Sequence, residues 1–446
     1  MRISSLHALV LTAVLAAAPS AYAWGAAGHE IVATIAQIHL PKPVLQTVCD
    51  ILNPFLDDDT TASPFQPPTS SCPNPRSASA DADADASYPP CHLASIAAWA
   101  DQVRSKPQYR YTAPLHYVNA VDDAPADACA FPGPHGWQGR PTGNVLAALG
   151  NVTRVLRGFA AGEQGAGAAD EALRFLVHWV GDMHQPLHMS GREKGGNGAR
   201  VQWNGRVTNL HSVWDGLLIA QSIRQTPRNY SRPLAGPAGA LVEAHLRGAI
   251  YDPFVRRIMH EGLAVGGRFD GESDGWLDCP EPSAGVQPLE QGYGWQARLQ
   301  ALRALDYRAA LGLTTPAGAE ARWDDGTLCP YAWARPIHAL NCELPVWPHE
   351  LDEGGHREAS GAERGEEYSL AEELADFDDV LGIHVEVAAG RPRRHPELVE
   401  LDTAGYAGKI AEGWVVERLL AMAGVRLAGV LTDVFQEVSG EAVIGA

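Results

Sequence analysis

Two histidine–aspartate pairs with the same spacing lie within one stretch of the chain, from Phe175 to Asp215. His178 precedes Asp182 by four positions, and His211 precedes Asp215 by four positions. Residues four apart lie one above the other on the same face of an α-helix. Imidazole nitrogens and carboxylate oxygens are typical ligands of zinc in proteins. The spacing therefore predicts two helices that each present a pair of metal ligands.

A third histidine lies between the two pairs. Pro186 should end the first helix and leave His188 on a tight turn beside that end. The turn is followed by the glycine-rich run Gly195-Gly196-Asn197-Gly198. One His-x-x-x-Asp pair alone would favour ordinary surface histidines on an amphipathic helix. Two pairs together with His188 favour a cluster that holds more than one zinc ion.

The first residues have the features of a secretory signal. Arg2 supplies a positive charge, Ala8 to Ala18 form an apolar run, and Ala21-Tyr22-Ala23 is an A-x-A cleavage site. The apolar run is too short to serve as a membrane anchor. We therefore expect residues 1–23 to be removed and the mature protein to be secreted, extracellular and without a membrane anchor.

Cysteine usage and glycosylation sequons fit an extracellular protein. The chain has seven cysteines and no C-x-x-C motif, which favours disulfides over a cysteine-type zinc site. An odd number leaves one cysteine unpaired or joined to another molecule. The sequons at Asn151 and Asn229 predict N-glycosylation.

The net charge of −19 argues against broad electrostatic binding of nucleic acid, which normally needs a basic surface. Part of this charge comes from a strongly acidic run between Glu350 and Asp379. An enzyme that processes phosphate groups could tolerate the charge if bound metal ions made the site locally positive.

Hydrophobic periodicity predicts an all-α fold. Helical patterns cover residues 92–103, 144–159, 241–259 (with a break near Asp252-Pro253), 331–346 and 405–430. No stretch alternates apolar and polar residues for long enough to predict a β-sheet domain. We expect one mainly helical domain over residues 24–446, with long insertions at about 53–90, 262–325 and 349–400.

Further candidate ligands lie upstream of the two pairs. Signal cleavage would free the α-amino group of Trp24, which could chelate a metal together with the Trp24 carbonyl, and His29 follows nearby. An aromatic plug at the N-terminus is the alternative interpretation of Trp24. Asp101 and Arg104 are three positions apart and can share a helix face. His116 lies in a short apolar stretch, where a lone histidine is usually a packed core residue.

These separate candidates fall into one pattern. The segments that carry it read WGAAGH, WADQVR, PLHYVN, FLVHWVGDMHQPLH, GGN and NLHSVWD. In order and local spacing they closely resemble the zinc-dependent, single-strand-specific nucleases of fungi and plants, of the mung-bean nuclease type. That family shares an α-helical fold with the zinc phospholipases C. The similarity runs from residue 24 to about residue 220.

The resemblance implies three zinc ions. The first would be bound by Asp101, His116, His178 and Asp182. The second would be bound by His188, His211 and Asp215. The third would be bound by the amino group and carbonyl of Trp24, with His29 and Asp182, so that Asp182 would bridge two ions.

The resemblance also implies a reaction and substrates. Zinc-activated hydroxide would attack phosphorus in single-stranded DNA and RNA and leave 5′-phosphorylated products, with 3′-nucleotidase activity in addition. Asp101 would handle the proton, and Arg104 and Asn119 would hold the phosphate. Tyr117 would stack on a base, with Lys194 and Asn197 near the same pocket. No obligate protein partner is implied.

The resemblance implies a disulfide between Cys129 and Cys342. Proximity in sequence makes Cys279–Cys329 and Cys49–Cys91 plausible, although Cys72 could replace either partner of the latter pair. Two other functions remain open at this point. One is a phosphodiesterase similar to the zinc phospholipases C, which would use the same ligands. The other is a non-catalytic secreted zinc-binding protein.

Overall fold

The computed structural model describes residues 24–56, 89, 91–121, 123, 129, 131–132, 136–139, 143–280, 314–315, 324–343, 346–353 and 398–436. The predicted signal peptide, Cys72 and most of the three predicted insertions lie outside these ranges. All of the structural statements below concern the described residues.

The described structure is mainly helical, as the sequence predicts. Its α-helices are α1 (Gly25–His39), α2 (Lys42–Leu56), α3 (Trp99–Val103), α4 (Val145–Ala160), α5 (Ala166–Met183), α6 (Leu210–Ser212), α7 (Leu218–Gln225), α8 (Gly236–Ala244), α9 (Asp252–Arg257), α10 (Pro330–Glu343), α11 (Glu350–Glu353), α12 (Lys409–Glu412) and α13 (Val415–Phe435). Short 3₁₀ segments cover Leu93–Ser95, Pro107–His116, Pro186–Met189, Arg228–Ser231 and Ser273–Gly275. Segments of π-helix cover Val213–Leu217, Ile258–Leu263 and Ala404–Gly408.

The strands are short and form two antiparallel pairs. β1 (Trp137–Gln138) pairs with β4 (Thr314–Thr315), and β2 (Arg200–Trp203) pairs with β3 (Arg206–Asn209). In the second pair Gln202 lies opposite Val207.

The core lies where α1, α4, α5 and α13 pack together. Gly424 of α13 permits close contact with α1, because a Cβ atom there would lie 2.5 Å from Cγ2 of Ile35. Ile35 is fully buried at this crossing. Full burial of a side chain of this size stabilises a fold by roughly 1.5–3 kcal/mol.

Helix α5 is buried on every face along its second half. Every residue from Ala172 to Met183 is buried, which is typical of a central helix rather than an amphipathic surface helix. His178 and Asp182 therefore lie in the interior. Asn144 immediately precedes the neighbouring helix α4, and its side chain caps that helix by accepting a hydrogen bond from the amide of Ala147 at 3.0 Å.

Several element boundaries differ from the sequence-based expectation. The segment 92–103 is divided into a 3₁₀ turn and α3. The last long helix is broken at Trp414, which has a left-handed backbone with φ of 55°. The β2–β3 hairpin was not predicted, although Asn204-Gly205 is a typical hairpin turn pair and both residues have positive φ (51° and 72°).

Three disulfides join Cys49 to Cys91, Cys129 to Cys342, and Cys279 to Cys329. The Cys129–Cys342 bond connects a loop near β1 to the end of α10, across a sequence separation of 213. Among the described residues, no helix combines the length and apolar character needed to cross a membrane.

Candidate metal centre

The histidines and aspartates predicted as ligands meet at one buried point. Helix α1 contributes His29, α3 contributes Asp101, and the Pro107–His116 segment ends at His116. Helix α5 contributes His178 and Asp182. A second set comes from later elements: His188 from the Pro186–Met189 turn, His211 from α6, and Asp215 from the π segment after α6.

Asp182 lies at the centre of this cluster and faces four imidazoles. Its Oδ2 atom is 2.9 Å from His116 Nδ1 and 3.3 Å from His178 Nε2. Its Oδ1 atom is 3.5 Å from His29 Nε2 and 3.6 Å from His188 Nδ1. The two oxygens thus face different groups of histidines, an arrangement that suits a carboxylate shared by two cations.

Three sets of potential ligand atoms are each close enough to hold a metal ion, and two of the sets share His178. They are His116, His178 and Asp182; His188, His211 and Asp215; and His29, Asp101 and His178, with all atoms of a set within 4.8 Å of one another. The first set contains three of the four ligands predicted for one ion, and the second equals the predicted three-residue set. The third associates His29 with Asp101 and His178, whereas the resemblance pairs it with Trp24 and Asp182.

Backbone carbonyls fix the orientation of three of the imidazoles. The Nδ1 atoms of His178, His188 and His211 lie 2.7 Å from the carbonyl oxygens of Ala97, His116 and Gly195, respectively. A neutral ring that donates from Nδ1 to a carbonyl has the lone pair of Nε2 available to a metal. Such outer hydrogen bonds are a regular feature of histidine metal ligands.

Several atoms of the cluster are buried without a hydrogen-bond partner. They include both ring nitrogens of His29, both oxygens of Asp101, Oδ1 of Asp182, and Nε2 of His116, His178 and His188. A buried polar group without a partner costs about 1–3 kcal/mol, and more when it is charged. Divalent cations would satisfy these atoms, so the residues fit a metal centre of nitrogen and carboxylate ligands.

The carboxylates of Asp182 and Asp101 are held in their charged form. Burial alone would raise the pKa of Asp182, but His178 and His116 outweigh burial and keep it well below its usual range. In the same way burial would lower the pKa of His178, but Asp182 and Asp101 raise it to about 9. Burial lowers the pKa of His188 to about 4. The carboxylates therefore favour positive charge at this point, as a cation would supply.

Trp24 immediately precedes the first turn of α1. It is fully buried, and its carbonyl oxygen accepts a hydrogen bond from the amide of Gly28 at 3.1 Å. A Cβ atom on Gly28 would lie 2.8 Å from Cβ of Trp24. A Cβ atom on Gly25, where φ is +23°, would lie 3.0 Å from the carbonyl oxygen of Asp215. The first turn of α1 therefore packs directly on the segment that carries Asp215.

Arg104 and Asn119 are both partly exposed. The Arg104 guanidinium is 3.4 Å from Asp101 Oδ1, and 16% of its side chain is exposed. Burial would raise the pKa of Asp101, but Arg104 with His178 and His116 lowers it. The Asn119 side chain is half-buried and lies beside Gln138 and Gly191.

The remaining predicted substrate contacts are at the surface. Tyr117 is half-buried, and its carbonyl accepts a hydrogen bond from the amide of Val145. Lys194 and Asn197 are both exposed, and Asn197 Nδ2 donates to the Lys194 carbonyl at 2.9 Å. This bond gives Asn197 a role in shaping its own loop. The sequon residues Asn151 and Asn229 are also exposed.

Two residues beside the ligands were not identified from the sequence. Gly181 leaves room for His29, because a Cβ atom there would lie 2.6 Å from His29 Nδ1. Its signal was a glycine inside a strongly helical pattern, which can mark close approach of another group. Gln185 binds Asp215 through its amide nitrogen at 2.7 Å. No local spacing rule connects these two residues, so their contact requires the folded chain.

Comparison with known proteins agrees with the resemblance to nucleases seen in the first half of the sequence. The model of the S1/P1 nuclease family matches residues 24–245, a segment that contains every predicted ligand. Residues 24–245 belong to the S1/P1 nuclease family.

Individual relatives of the S1/P1 nuclease family agree with this assignment. Endonuclease 2 of Arabidopsis thaliana is 33% identical over 215 residues, which are 46% of this chain and 59% of the relative. Nuclease S1 of Aspergillus oryzae is 31% identical over 206 residues, 46% of this chain and 58% of the relative. Nuclease P1 of Penicillium citrinum is 32% identical over 193 residues, 43% of this chain and 57% of the relative. The matches thus span somewhat more than half the length of these relatives.

Proposed function

We propose that this protein is a secreted zinc nuclease. It would hydrolyse phosphodiester bonds of single-stranded DNA and RNA to 5′-phosphorylated products and also act as a 3′-nucleotidase. One observation carries the proposal: eight histidine and aspartate side chains from separate parts of the sequence meet in one buried cluster within the segment 24–245. The membership of that segment in the S1/P1 nuclease family supports the choice of substrate.

The proposed centre holds three zinc ions. Asp101, His116, His178 and Asp182 would bind one, and His188, His211 and Asp215 would bind another. Trp24, through its amino group and carbonyl, would bind the third with His29 and Asp182. The 3.5 Å distance between His29 Nε2 and Asp182 Oδ1 supports the last set. Bound zinc lowers the pKa of a coordinated water and neutralises charge on a phosphate.

The protein's own groups would orient the substrate and move the proton. Asp101 is anionic and buried, so its carboxylate can accept a proton from the attacking water. Arg104 has its guanidinium beside Asp101 and is partly exposed, which suits a bidentate contact with a phosphate. Asn119 would add an amide hydrogen bond to the same phosphate.

The remaining contacts would select single strands. Tyr117 would offer an aromatic face to an unpaired base, which a duplex cannot present without unstacking. Lys194 and Asn197 are exposed residues of the loop between His188 and His211 and would border the same pocket. The proposed preference for single strands therefore depends on one half-buried aromatic ring and its surrounding loop.

A substrate panel tests the proposal. Protein that begins at Trp24 is assayed on single-stranded DNA, single-stranded RNA, duplex DNA, a 3′-mononucleotide and phosphatidylcholine vesicles, with and without a chelator. We expect single strands and the 3′-mononucleotide to be hydrolysed, activity to be lost with chelator, and zinc to restore it. Asp101→Asn is the inactive control. Cleavage of lipid but not of nucleic acid would indicate the phospholipase alternative, and zinc binding with no hydrolysis at all would indicate a non-catalytic protein.

A further inference from the structure

Gln185 connects two ligands of the proposed metal centre that come from different elements. Its side-chain nitrogen donates to Asp215 Oδ1 at 2.7 Å, and its side-chain oxygen accepts from the amide of Leu187 at 2.6 Å. The side chain is fully buried. Leu187 immediately precedes His188, so one amide group joins the carboxylate of Asp215 to the turn that carries His188.

The backbone of Gln185 holds the same turn. Its carbonyl oxygen accepts a hydrogen bond from the amide of His188 at 3.0 Å. Gln185 also lies at the start of the 3₁₀ segment Pro186–Met189, where its side chain caps the first turn. Gln185 thereby fixes the position of His188 with its main chain and with its side chain.

The hydrogen bond to Asp215 decides which carboxylate oxygen is available. Oδ1 of Asp215 is bound by Gln185, whereas Oδ2 lies 3.0 Å from His211 Nε2. The Asp215 carboxylate therefore presents Oδ2 toward His211, while Oδ1 faces the side-chain amide of Gln185. A glutamine suits this role because its nitrogen only donates and its oxygen only accepts.

From this geometry we infer that Gln185 is a positioning residue for the ion bound by His188, His211 and Asp215. It aligns two of the three ligands of that ion before the ion arrives. The inference rests on the proposed function, since it concerns one of the three proposed zinc positions. Outer hydrogen bonds of this kind change metal affinity by about 10–100-fold when they are removed.

Gln185→Met tests the inference because methionine keeps the length of the side chain and removes both hydrogen bonds. The matched control is Gln37→Met. Gln37 is also buried, accepts from the amide of Leu93 at 2.8 Å, and donates to the carbonyl of Cys91 at 3.1 Å, but it contacts no predicted ligand. Both variants therefore lose donated and accepted hydrogen bonds in the protein interior, and Gln37→Met also loses the contact of Gln37 Nε2 with His245 Nδ1 at 3.3 Å.

The measurement is the number of zinc ions per chain during titration with a chelator of known affinity, followed by the thermal midpoint of each metal-loaded protein. We expect Gln185→Met to lose one ion about 10–100-fold more readily than the wild type, with the other ions retained. Gln37→Met should lose stability while retaining the wild-type zinc titration. Equal zinc titrations for both variants would overturn the inference and leave Gln185 a packing residue.

The same experiment separates this inference from the proposed function. If the wild type binds no zinc, the proposed metal centre fails before any variant is compared. If the wild type binds zinc and Gln185→Met behaves like Gln37→Met, only the role of Gln185 fails. The variant Gln185→Asn adds a further check, because its shorter amide cannot span from Asp215 to Leu187 and should resemble Gln185→Met.

Discussion

The imidazole of His29 stacks on the imidazole of His178, with 3.8 Å between ring centroids and 15° between ring planes. Both rings point Nε2 at Asp182, His29 toward Oδ1 and His178 toward Oδ2. Helices α1 and α5 therefore contact each other through the stacked rings of His29 and His178, which both face the carboxylate of Asp182. Small changes in the spacing of these helices should alter the metal centre directly.

Gly181→Ala tests the spacing of α1 and α5. The added Cβ atom would lie 2.6 Å from His29 Nδ1, so His29 must move away from Asp182. We expect a loss of about 1–3 kcal/mol in stability, as for other overpacked cores, together with reduced zinc content. Gly167→Ala is the control on the same helix, because a Cβ atom there meets nothing within 4 Å. Unchanged zinc content in Gly181→Ala would contradict the assignment of His29 as a ligand.

Asp182→Asn tests whether one carboxylate serves two ions. Asparagine keeps the shape but loses the charge that both groups of histidines face. We expect zinc content to fall by about two ions per chain, because a carboxylate ligand loses affinity when it is neutralised. Asp215→Asn should remove about one. Metal analysis of the two purified variants measures the zinc lost from each. Equal zinc losses in the two variants would refute the bridging role of Asp182.

An extra alanine before Trp24 tests the proposed N-terminal ligand. The added peptide bond converts the α-amino group into an amide, which does not bind zinc as an amine does. We expect loss of one ion and a large loss of activity, similar to the effect of His29→Ala. Wild-type zinc content and activity in the extended protein would exclude the Trp24 amine from the centre.

Arg104→Gln tests the proposed phosphate contact. Removal of a hydrogen-bond donor that stabilises negative charge in the transition state typically lowers kcat by about 10²–10³-fold. We expect a decrease of that order on single-stranded DNA with zinc content unchanged, and partial recovery in Arg104→Lys, which restores charge without the planar fork. The exposed Arg154 of α4 provides the control variant Arg154→Gln. A change in KM alone would show that Arg104 binds the substrate and the transition state equally well.

Replacement of the Cys129–Cys342 disulfide by two serines should destabilise the protein by about 2–5 kcal/mol. Because this bond closes a longer loop than Cys279–Cys329 (sequence separations of 213 and 50), we expect its loss to cost about 1 kcal/mol more than loss of the shorter one. Denaturant unfolding of the two double variants makes the comparison. A larger effect for the shorter bond would show that local packing near Cys279 outweighs loop length.

The parts of the site that depend on local spacing could be read from the sequence. The four-residue offset of His178 and Asp182 on α5 is fixed by helix geometry, and Pro186 ends that helix as expected. The same rule gave His211 and Asp215 as one face of a helix. In the structure the side chains of His211 and Asp215 lie close together, but Asp215 is in a π-helical segment.

Other features needed information from distant residues. The approach of Asp101 and His116 to α5 follows from packing, and only the resemblance to known nucleases brought them into the predicted set. Gly181 makes room for His29, and Gln185 contacts Asp215. Both features depend on how distant segments pack, which the hydrophobic periodicity of the sequence does not show. The β2–β3 hairpin was missed because each strand has four residues, too few for alternation to be visible, although its Asn-Gly turn was a usable signal.

The hairpin that precedes His211 is also joined to a much later part of the chain. The amide of Gln202 donates to the carbonyl of Val399, and the amide of Leu401 donates to the carbonyl of Gln202. Leu351, near the other end of the long acidic segment, is buried in the core. The chain is therefore anchored to the ligand-bearing domain on both sides of that segment. We therefore expect that shortening this segment, or neutralising its charge, would preserve the register of the residues around His211.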